Sequence, residues 1–404
     1  MSQQARRERV CFIRMNYFPE EAHVRKNAEA LTEAGYDVDI ICLRQRGEKA
    51  SVDRGGGRIY RLPLSHKRSG ALRYLFEYAA FFTMAFWLVS FLHLRKRYQI
   101  IETYNVPDVI VFVALVPRLL GAKLVHYMFE ATPEMYADRF DLKPGGLVER
   151  ALRWMERISV RFAHKSIVEG PYEREMRGRR GVDVDRIGVV MNVPEGHLFQ
   201  PRAQGEVNGT SYGSVGCDII THGSMLKRYG VQTLIRAMPR LCDEISGLKL
   251  WVVGDGEHRQ ALEDLTMRLG MTKAVEFTGW VKHEAVSDYI GRCRIGIVPM
   301  LYNQLPNKLF EYVAMGLPVV VGDVPSIRTA FGPETVQYYR TGDADELADR
   351  VLAVYHDYDA ARAMAARAQE TFKKYTWDVM KEVYISIHDE VLARGRGETL
   401  AVEA

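Results

Sequence analysis

Five cysteines are all that this chain of 404 residues contains: Cys11, Cys42, Cys217, Cys242 and Cys293. No two form a CxxC pair, and none stands at metal-ligand spacing from a histidine, which argues against a disulfide framework and a zinc ribbon. Cys11 and Cys217 fall in apolar, strand-like runs, where a free thiol packs as a small hydrophobe. The dinucleotide fingerprint GxGxxG is missing, so a Rossmann oxidoreductase is disfavoured. No DxD sequence falls in a suitable loop. The opening residues MSQQARRERV carry charge without an apolar core or a cleavage site, so no signal peptide is expected and the cytoplasm is the default location.

Hydrophobic residues make up 47% of the chain and charged residues 26%, the balance of a soluble globular protein. The length exceeds one ordinary core, and two domains are expected. The net charge of +4 hides an asymmetry: residues 1–200 hold 32 Lys and Arg against 24 Asp and Glu, and the remainder 23 against 27. A basic first half favours an anionic surface or an acidic acceptor as partner. Its charges are dispersed and not interleaved with aromatics, so nucleic acid is not expected.

Strands and helices alternate twice along the chain. The runs VCFIRM, residues 37–43, RIYRLP, QIIETY, AKLVHYMF, KSIVEG and IGVVMN read as strands of a mostly parallel sheet with helices between them. The polar, proline-containing loop 192–212 breaks the rhythm, which restarts with CDIITHG, LKLWVVG, AVEFTG, RIGIVP and PVVVG. The expected organisation is one α/β domain over 1–195, a second over 196–375, and a last helix and tail over 376–404. Two doubly wound α/β domains in series place a ligand cleft at their strand C-termini.

Three segments carry chemistry. Gly223 ends the strand CDIITH and opens the loop GSMLKRYG, where backbone N–H groups can approach a phosphate and Lys227 and Arg228 can neutralise it; a plain strand-to-helix turn with two solvated cations fits the same residues. WVVGDGEHRQALEDL is a strand, a Gly-Asp-Gly turn and a helix, weak in isolation. The strongest segment is LPNKLFEYVAMGLPVVV, residues 305–321. Asn307 is expected to cap a helix presenting Lys308 and Glu311 on one face at i,i+3, a cation for a diphosphate and a carboxylate for two vicinal ribose hydroxyls. Any helix surface can show such an ion pair. The setting between RIGIVP and PVVVG, at the mouth of the second sheet, favours a site.

These segments, in this order and spacing, resemble the retaining glycosyltransferases of family four, which have the GT-B fold. HGSMLKRYG, VEFTGWV and the tail beginning YTW extend the resemblance over nearly the whole chain, as do FPEEAHVRKNAEALTEAGYDVDIIC and YNVPDVIVFVALVPRLLGAKLV in the first half. The resemblance implies that Glu311 holds the donor ribose and that Lys308, with Arg228 or Lys227, lies at the diphosphate. It further implies donor contacts from Gly223, Ser224, Gly254, Trp280, Val281, Asn303, Asn307 and Leu309, with backbone at Trp280–Val281 facing the base. Neither a metal nor a cofactor is expected, because family members use cations and helix dipoles instead.

Two departures stand out. Where members often carry a first carboxylate of Glu-x7-Glu, this chain has Asn303. Where they carry a histidine-acid pair, it has Phe129-Glu130, which leaves Glu130, with His126 and Glu134 as the alternatives, on the acceptor side. Phe129 reads as core, His222 as a structural hydrogen bonder, and Arg25 equally as a phosphate ligand or a solvated helix residue. A nucleotide-sugar epimerase of the same fold and a non-catalytic nucleotide-sugar-binding subunit are the alternatives.

One run belongs to none of these motifs. Residues 78–94, YAAFFTMAFWLVSFLHL, hold no Asp, Glu, Lys or Arg and are bracketed by His66, Lys67, Arg68 and Arg73 before and Arg95, Lys96 and Arg97 after. Within a helix over 71–97, its aromatics Phe81, Phe82, Phe86, Trp87 and Phe91 exceed one core face. That favours a helix lying in the plane of a membrane over a core or dimer helix. The whole reads as a transferase peripheral on the inner face of the cell membrane, with a lipid-linked or cell-envelope polysaccharide acceptor.

Overall fold

Strand and helix alternate because apolar β-branched runs are each followed by a helix with one apolar stripe, and each helix covers the sheet that its flanking strands form. The computed structural model describes residues 7–65, 71–140, 143, 145–200 and 217–396. The chain forms two units, one of residues up to Met191 together with those from Met380 onward, the other Asn192–Val379.

The N-terminal unit is an eight-stranded sheet: β1 (Arg9–Tyr17), β2 (Asp37–Leu43), β3 (Ser51–Asp53), β4 (Arg58–Leu62), β5 (Ile100–Tyr104), β6 (Lys123–Met128), β7 (Lys165–Val168) and β8 (Ile187–Val189). Its order is β3-β4-β2-β1-β5-β6-β7-β8, parallel except for the β3–β4 edge pair. Helices α1 (Ala22–Glu33), α2 (Ala71–Lys96), α3 (Leu115–Leu119), α4 (Thr132–Phe140), α5 (Leu147–Phe162) and α6 (Pro171–Arg179) connect the strands, with a 3-10 turn at Asp108–Ala114 leading into α3. Alternate residues divide the sheet's faces. Cys11, Ile13, Ile41, Ile101 and Leu124 pack under α2 and the 3-10 turn, whereas Phe12, Tyr104 and Tyr127 lie on the opposite face with their rings in contact.

Helix α2 is the one helix among the described residues long and apolar enough to cross a membrane. Phe81, Ala85, Val89 and Leu92 nevertheless form a stripe at helical spacing that is buried on the sheet. Phe82 and Phe86 are half-buried against the same core, whereas Phe76, Trp87 and Phe91, with Leu94, are exposed. Lys96 is likewise not a free flanking cation: its Nζ lies 2.5 Å from the buried Asp39, which also accepts from Tyr98. Residues 66–68 lie outside the described residues.

The C-terminal unit is a six-stranded parallel sheet of β9 (Cys217–His222), β10 (Leu250–Val253), β11 (Val275–Gly279), β12 (Cys293–Val298), β13 (Val319–Gly322) and β14 (Gln337–Tyr339), in the order β11-β10-β9-β12-β13-β14. Around it run α7 (Val231–Glu244), α8 (Arg259–Arg268), α9 (His283–Ile290), α10 (Asn307–Ala314), α11 (Pro325–Arg328), α12 (Ala344–His356) and α13 (Tyr358–Phe372). The core on the α7 and α12 side is aliphatic, built from Leu234, Ile235, Leu241, Ile295, Ile297, Val320 and Val351. All five cysteines are free thiols and four are buried.

The last helix, α14 (Trp377–Arg396), leads the chain back into the N-terminal unit. Tyr384 Oη donates to Glu102 on β5 at 2.8 Å, and His388 Nε2 lies 2.6 Å from the same carboxylate. All three residues are fully buried.

Candidate active site

In the C-terminal unit, β9 and β10 end side by side on two glycine turns. Gly223 (φ +112°) and Gly254 (φ +131°) take backbone conformations open to glycine, and a Cβ on Gly254 would overlap the Gly223 carbonyl. The turns are laced together: the Met225 N–H donates to the Asp255 carbonyl at 2.8 Å and the His258 N–H to the Met225 carbonyl at 3.0 Å. Over this floor, α10 brings the Lys308 ammonium to about van der Waals range of Gly223. One turn on, Glu311 Oε2 lies 2.5 Å from His222 Nε2, and His222 Nδ1 lies 2.8 Å from the Tyr312 hydroxyl. Lys308 is 8% exposed and Glu311 4%, so the i,i+3 pair is a buried pair at a sheet mouth and not a solvated one.

The electrostatics follow from that burial. For Lys308, loss of hydration outweighs the neighbouring Glu311 carboxylate and pulls the ammonium down to about 8. Burial alone would raise Glu311, but His222 first, then His283 and Lys308, outweigh it and hold the carboxyl below its usual range. The site thus keeps a carboxylate charged in a dry setting, next to an ammonium only loosely holding its proton. The Arg228 guanidinium and the Lys308 ammonium both lie against the Tyr229 ring, at 5.4 and 5.8 Å from its centre, so one aromatic side chain positions both cations.

Other expected positions fall differently. Asn307 is the first helical residue of α10, not its cap; Pro306 precedes it with extended backbone and no side-chain cap bond. Leu309 is fully buried, its side chain packing the helix, and its N–H donates to the Pro306 carbonyl at 3.1 Å. Asn303 Oδ1 accepts from the Ser326 N–H at 2.9 Å, which fixes the loop against α11. Ser224 and Lys227 are exposed beside Gly223, and Trp280 is 73% exposed at the end of β11 with Val281 half-buried. His222, read from the sequence as a structural hydrogen bonder, bonds both Glu311 and Tyr312; His283, which acts on the Glu311 carboxylate, belongs to no motif, and only the fold brings the two to Glu311.

In the N-terminal unit, Glu130 follows β6. Its main chain is clamped by Asn105, whose Nδ2 donates to the Glu130 carbonyl at 2.9 Å. Its carboxylate belongs to a polar group at the strand ends. His23 Nδ1 lies 3.2 Å from Glu169, Lys26 is buried beside them, and Phe129 packs between the His23 ring at 4.5 Å and the Arg14 guanidinium at 4.8 Å. Burial first, then repulsion from Glu130 and Glu173, holds Glu169 well above the usual carboxyl range. Burial, then Lys26 and Arg14, holds His23 well below the usual imidazole range. His126 does not belong to this group: it is fully buried, bonded to Thr103 at 2.9 Å. Glu134 is committed to a two-pronged ion pair with Arg180, and Arg25 pairs with Glu29 at 3.3 Å. Among the described residues no group of three His, Cys, Asp or Glu side chains is arranged to hold a metal ion.

Residues 216–357 match the family model described as Glycosyl transferases group 1, and residues 20–192 match the one described as Glycosyl transferase 4-like domain. The chain is 23% identical over 380 residues to an uncharacterized glycosyltransferase of Methanocaldococcus jannaschii, covering 91% of this chain and 93% of that one. It is 30% identical over 176 residues to a GDP-mannose-dependent alpha-(1-6)-phosphatidylinositol monomannoside mannosyltransferase of Mycobacterium tuberculosis, covering 40% and 44% of the two chains. A lipopolysaccharide core biosynthesis glycosyltransferase of Rhizobium meliloti is 27% identical over 177 residues, 42% of this chain and 48% of that one. Among solved structures, sucrose-phosphate synthase from Thermosynechococcus elongatus superposes with a TM-score of 0.79 at 21% identity, over 96% of this chain and all of that one. The Anabaena protein HepE in complex with UDP-glucose gives 0.70 at 14%, over 95% and 99%. At these identities the structural likeness speaks for the fold alone, and that fold, two Rossmann-like parallel sheets with helices, is GT-B.

Proposed function

Because this chain belongs to glycosyltransferase family four, its halves matching the 4-like and group 1 models in turn, we propose that it transfers a sugar, with retention and without a metal, from a nucleotide-sugar to a lipid-linked or cell-envelope acceptor. The observation that carries the reading is the C-terminal cluster: a buried, charged Glu311 beside His222, with Lys308 and Arg228 both against Tyr229 above the Gly223 and Gly254 turns. Glu311 Oε2 is taken by His222, so the donor ribose hydroxyls fall to Oε1. The diphosphate then meets the Gly223 turn, the Lys308 ammonium, the Arg228 guanidinium and the positive end of α10. As the glycosidic bond to the diphosphate breaks, negative charge grows on the leaving oxygens, where two cations in a dry site stabilise it best. Glu130 serves the acceptor side.

The acceptor class is supported by the relatives named for a phosphatidylinositol mannoside and for lipopolysaccharide core, and the donor class by the complex of HepE with UDP-glucose. Work at the cytoplasmic membrane face is supported by the exposed Phe76, Trp87, Phe91 and Leu94 of α2. The test is a thermal-shift panel of UDP-, GDP- and ADP-sugars, followed by incubation of the stabilising donor with a membrane lipid extract. Radiolabel moving from that donor into lipid, and lost in Glu311→Gln, is the expected result. Conversion of the donor to its epimer with no labelled lipid would refute the transferase reading.

A further inference from the structure

Eleven of the sixteen exposed large hydrophobic side chains among the described residues fall between Phe76 and Trp154. They lie on α2–α5, and of these α2, α3 and α5 pack with the 3-10 turn on one face of the N-terminal sheet. Helix α5 is the unexpected member. Its outward stripe is Leu147, Ala151, Trp154 and Ile158, spaced i, i+4, i+7, i+11, with Leu147 82% and Trp154 56% exposed. Its inward stripe holds Glu149, Glu156 and Ser159, all buried. Glu156 pairs with the fully buried Arg177 at 3.0 Å, and Glu149 accepts from the Gly145 N–H at 2.5 Å. The helix is therefore amphipathic the wrong way round for a surface facing water, its acids inside and its tryptophan outside.

Charge sorts in the same way. The elements α2, the 3-10 turn, α3 and α5 contain four acidic residues, Glu77, Asp108, Glu149 and Glu156, and none is more than 9% exposed. Arg95, Arg150, Arg153 and Arg161 are exposed on the same layer. Apart from Thr83, the described exposed side chains of these elements are apolar or cationic, which matches an anionic bilayer in both respects: apolar depth for Leu147 and Trp154, and headgroup charge for the arginines around them. A second copy of the chain matches it poorly, since a two-fold contact centred on this stripe would bring the arginines of one copy towards those of the other.

We infer that α5, through Leu147 and Trp154 ringed by Arg150 and Arg161, is a second docking element for an anionic lipid surface. With α2 it gives the N-terminal unit two separate footholds on the membrane, and two footholds fix its orientation where one helix would leave it free to roll. The inference rests on the membrane-face reading and extends it to residues outside the apolar run.

The experiment is flotation of the full chain with phosphatidylcholine vesicles made with and without phosphatidylglycerol. Wild type is expected to float with the anionic vesicles only. Leu147→Gln with Trp154→Gln lowers partition at least about tenfold, while Trp154→Phe retains it. Arg150→Gln with Arg161→Gln lowers it about fivefold per charge and flattens its salt dependence. Circular dichroism unchanged from wild type confirms that these exposed substitutions leave the fold intact. Should the α5 pairs float like wild type while Trp87→Gln with Leu94→Gln does not, the inference is overturned and the membrane-face reading stands. Failure of wild type to float with either vesicle overturns both. A wild-type dimer in analytical ultracentrifugation that Leu147→Gln with Trp154→Gln dissolves gives the face to a second copy and overturns the inference.

Discussion

An ammonium held over a glycine turn and cut off from water gives up part of its hydration, and for Lys308 that loss brings the proton's release down to about 8. A diphosphate binding there restores what burial removed, so the bound lysine holds its proton more tightly than the free one. The sign follows: nucleoside diphosphate affinity is level below pH 8, where the free enzyme is already protonated. Above pH 8 it falls by about tenfold per pH unit, until the raised pKa of the complex is reached. Calorimetric titration with UDP and GDP between pH 7 and 9.5 shows this bend, and Lys308→Arg, which keeps its proton throughout, straightens it. A level wild-type profile would remove Lys308 from the diphosphate. Glu311→Gln weakens donor affinity by about 1–3 kcal/mol through loss of charged hydrogen bonds to ribose; unchanged affinity would place the ribose elsewhere. Lys308 and Glu311 were legible because three residues on a helix fix a shared face. For His222 the hydrogen-bonding role was legible but the partner was not, since it meets Glu311 across 89 positions of sequence, and His283 was not legible at all, because no local pattern encodes such meetings.

At the scale of the element, the apolar run of α2 was legible and its rotation was not. A helix with 17 successive residues lacking a charge carries no charged mark from which to phase the 3.6-residue period, and its polar residues mislead, since Ser90 and His93 are buried. The sheet supplies the phase by taking Phe81, Ala85, Val89 and Leu92. Phe81→Ala therefore costs about 3–5 kcal/mol by leaving a cavity, whereas Trp87→Gln, on the outer face, stays within about 0.5 kcal/mol. Urea unfolding monitored by circular dichroism separates the two, and equal losses would mean that α2 is turned differently. Helix α10 teaches the converse. Asparagine is a favoured cap, but the preceding Pro306 takes that place, with φ −88° and ψ 140°, and Asn307 falls inside the helix. Asn303 in the same loop spends its carboxamide oxygen on Ser326, a partner that the sequence between them does not announce.

At the scale of the whole molecule, alternation of strand and helix was enough to give two doubly wound sheets in series, because each unit's order follows from local connections. The closing of the N-terminal unit by the end of the chain is not local. Glu102 sits in the middle of a central strand, fully buried, and its partners Tyr384 and His388 arrive 282 and 286 residues later on α14. Removing one partner of a buried carboxylate leaves charge or a polar atom unmatched, a loss of about 3–5 kcal/mol when the geometry cannot relax. His388→Leu should then speed amide exchange in β5 and its neighbours β1 and β6 by about a hundredfold or more, at conditions where exchange reports opening free energies. A nucleoside diphosphate acts on a different part of the chain. Bound at the C-terminal cluster, it should slow exchange over residues 223–230 and 307–312 in wild type and in His388→Leu alike. Hydrogen exchange read by mass spectrometry on both proteins, with and without UDP or GDP, checks the two effects in one experiment. Wild-type protection of β5 in the His388 variant would mean that Glu102 needs no partner from α14, and that the C-terminal helix is held by its apolar contacts alone.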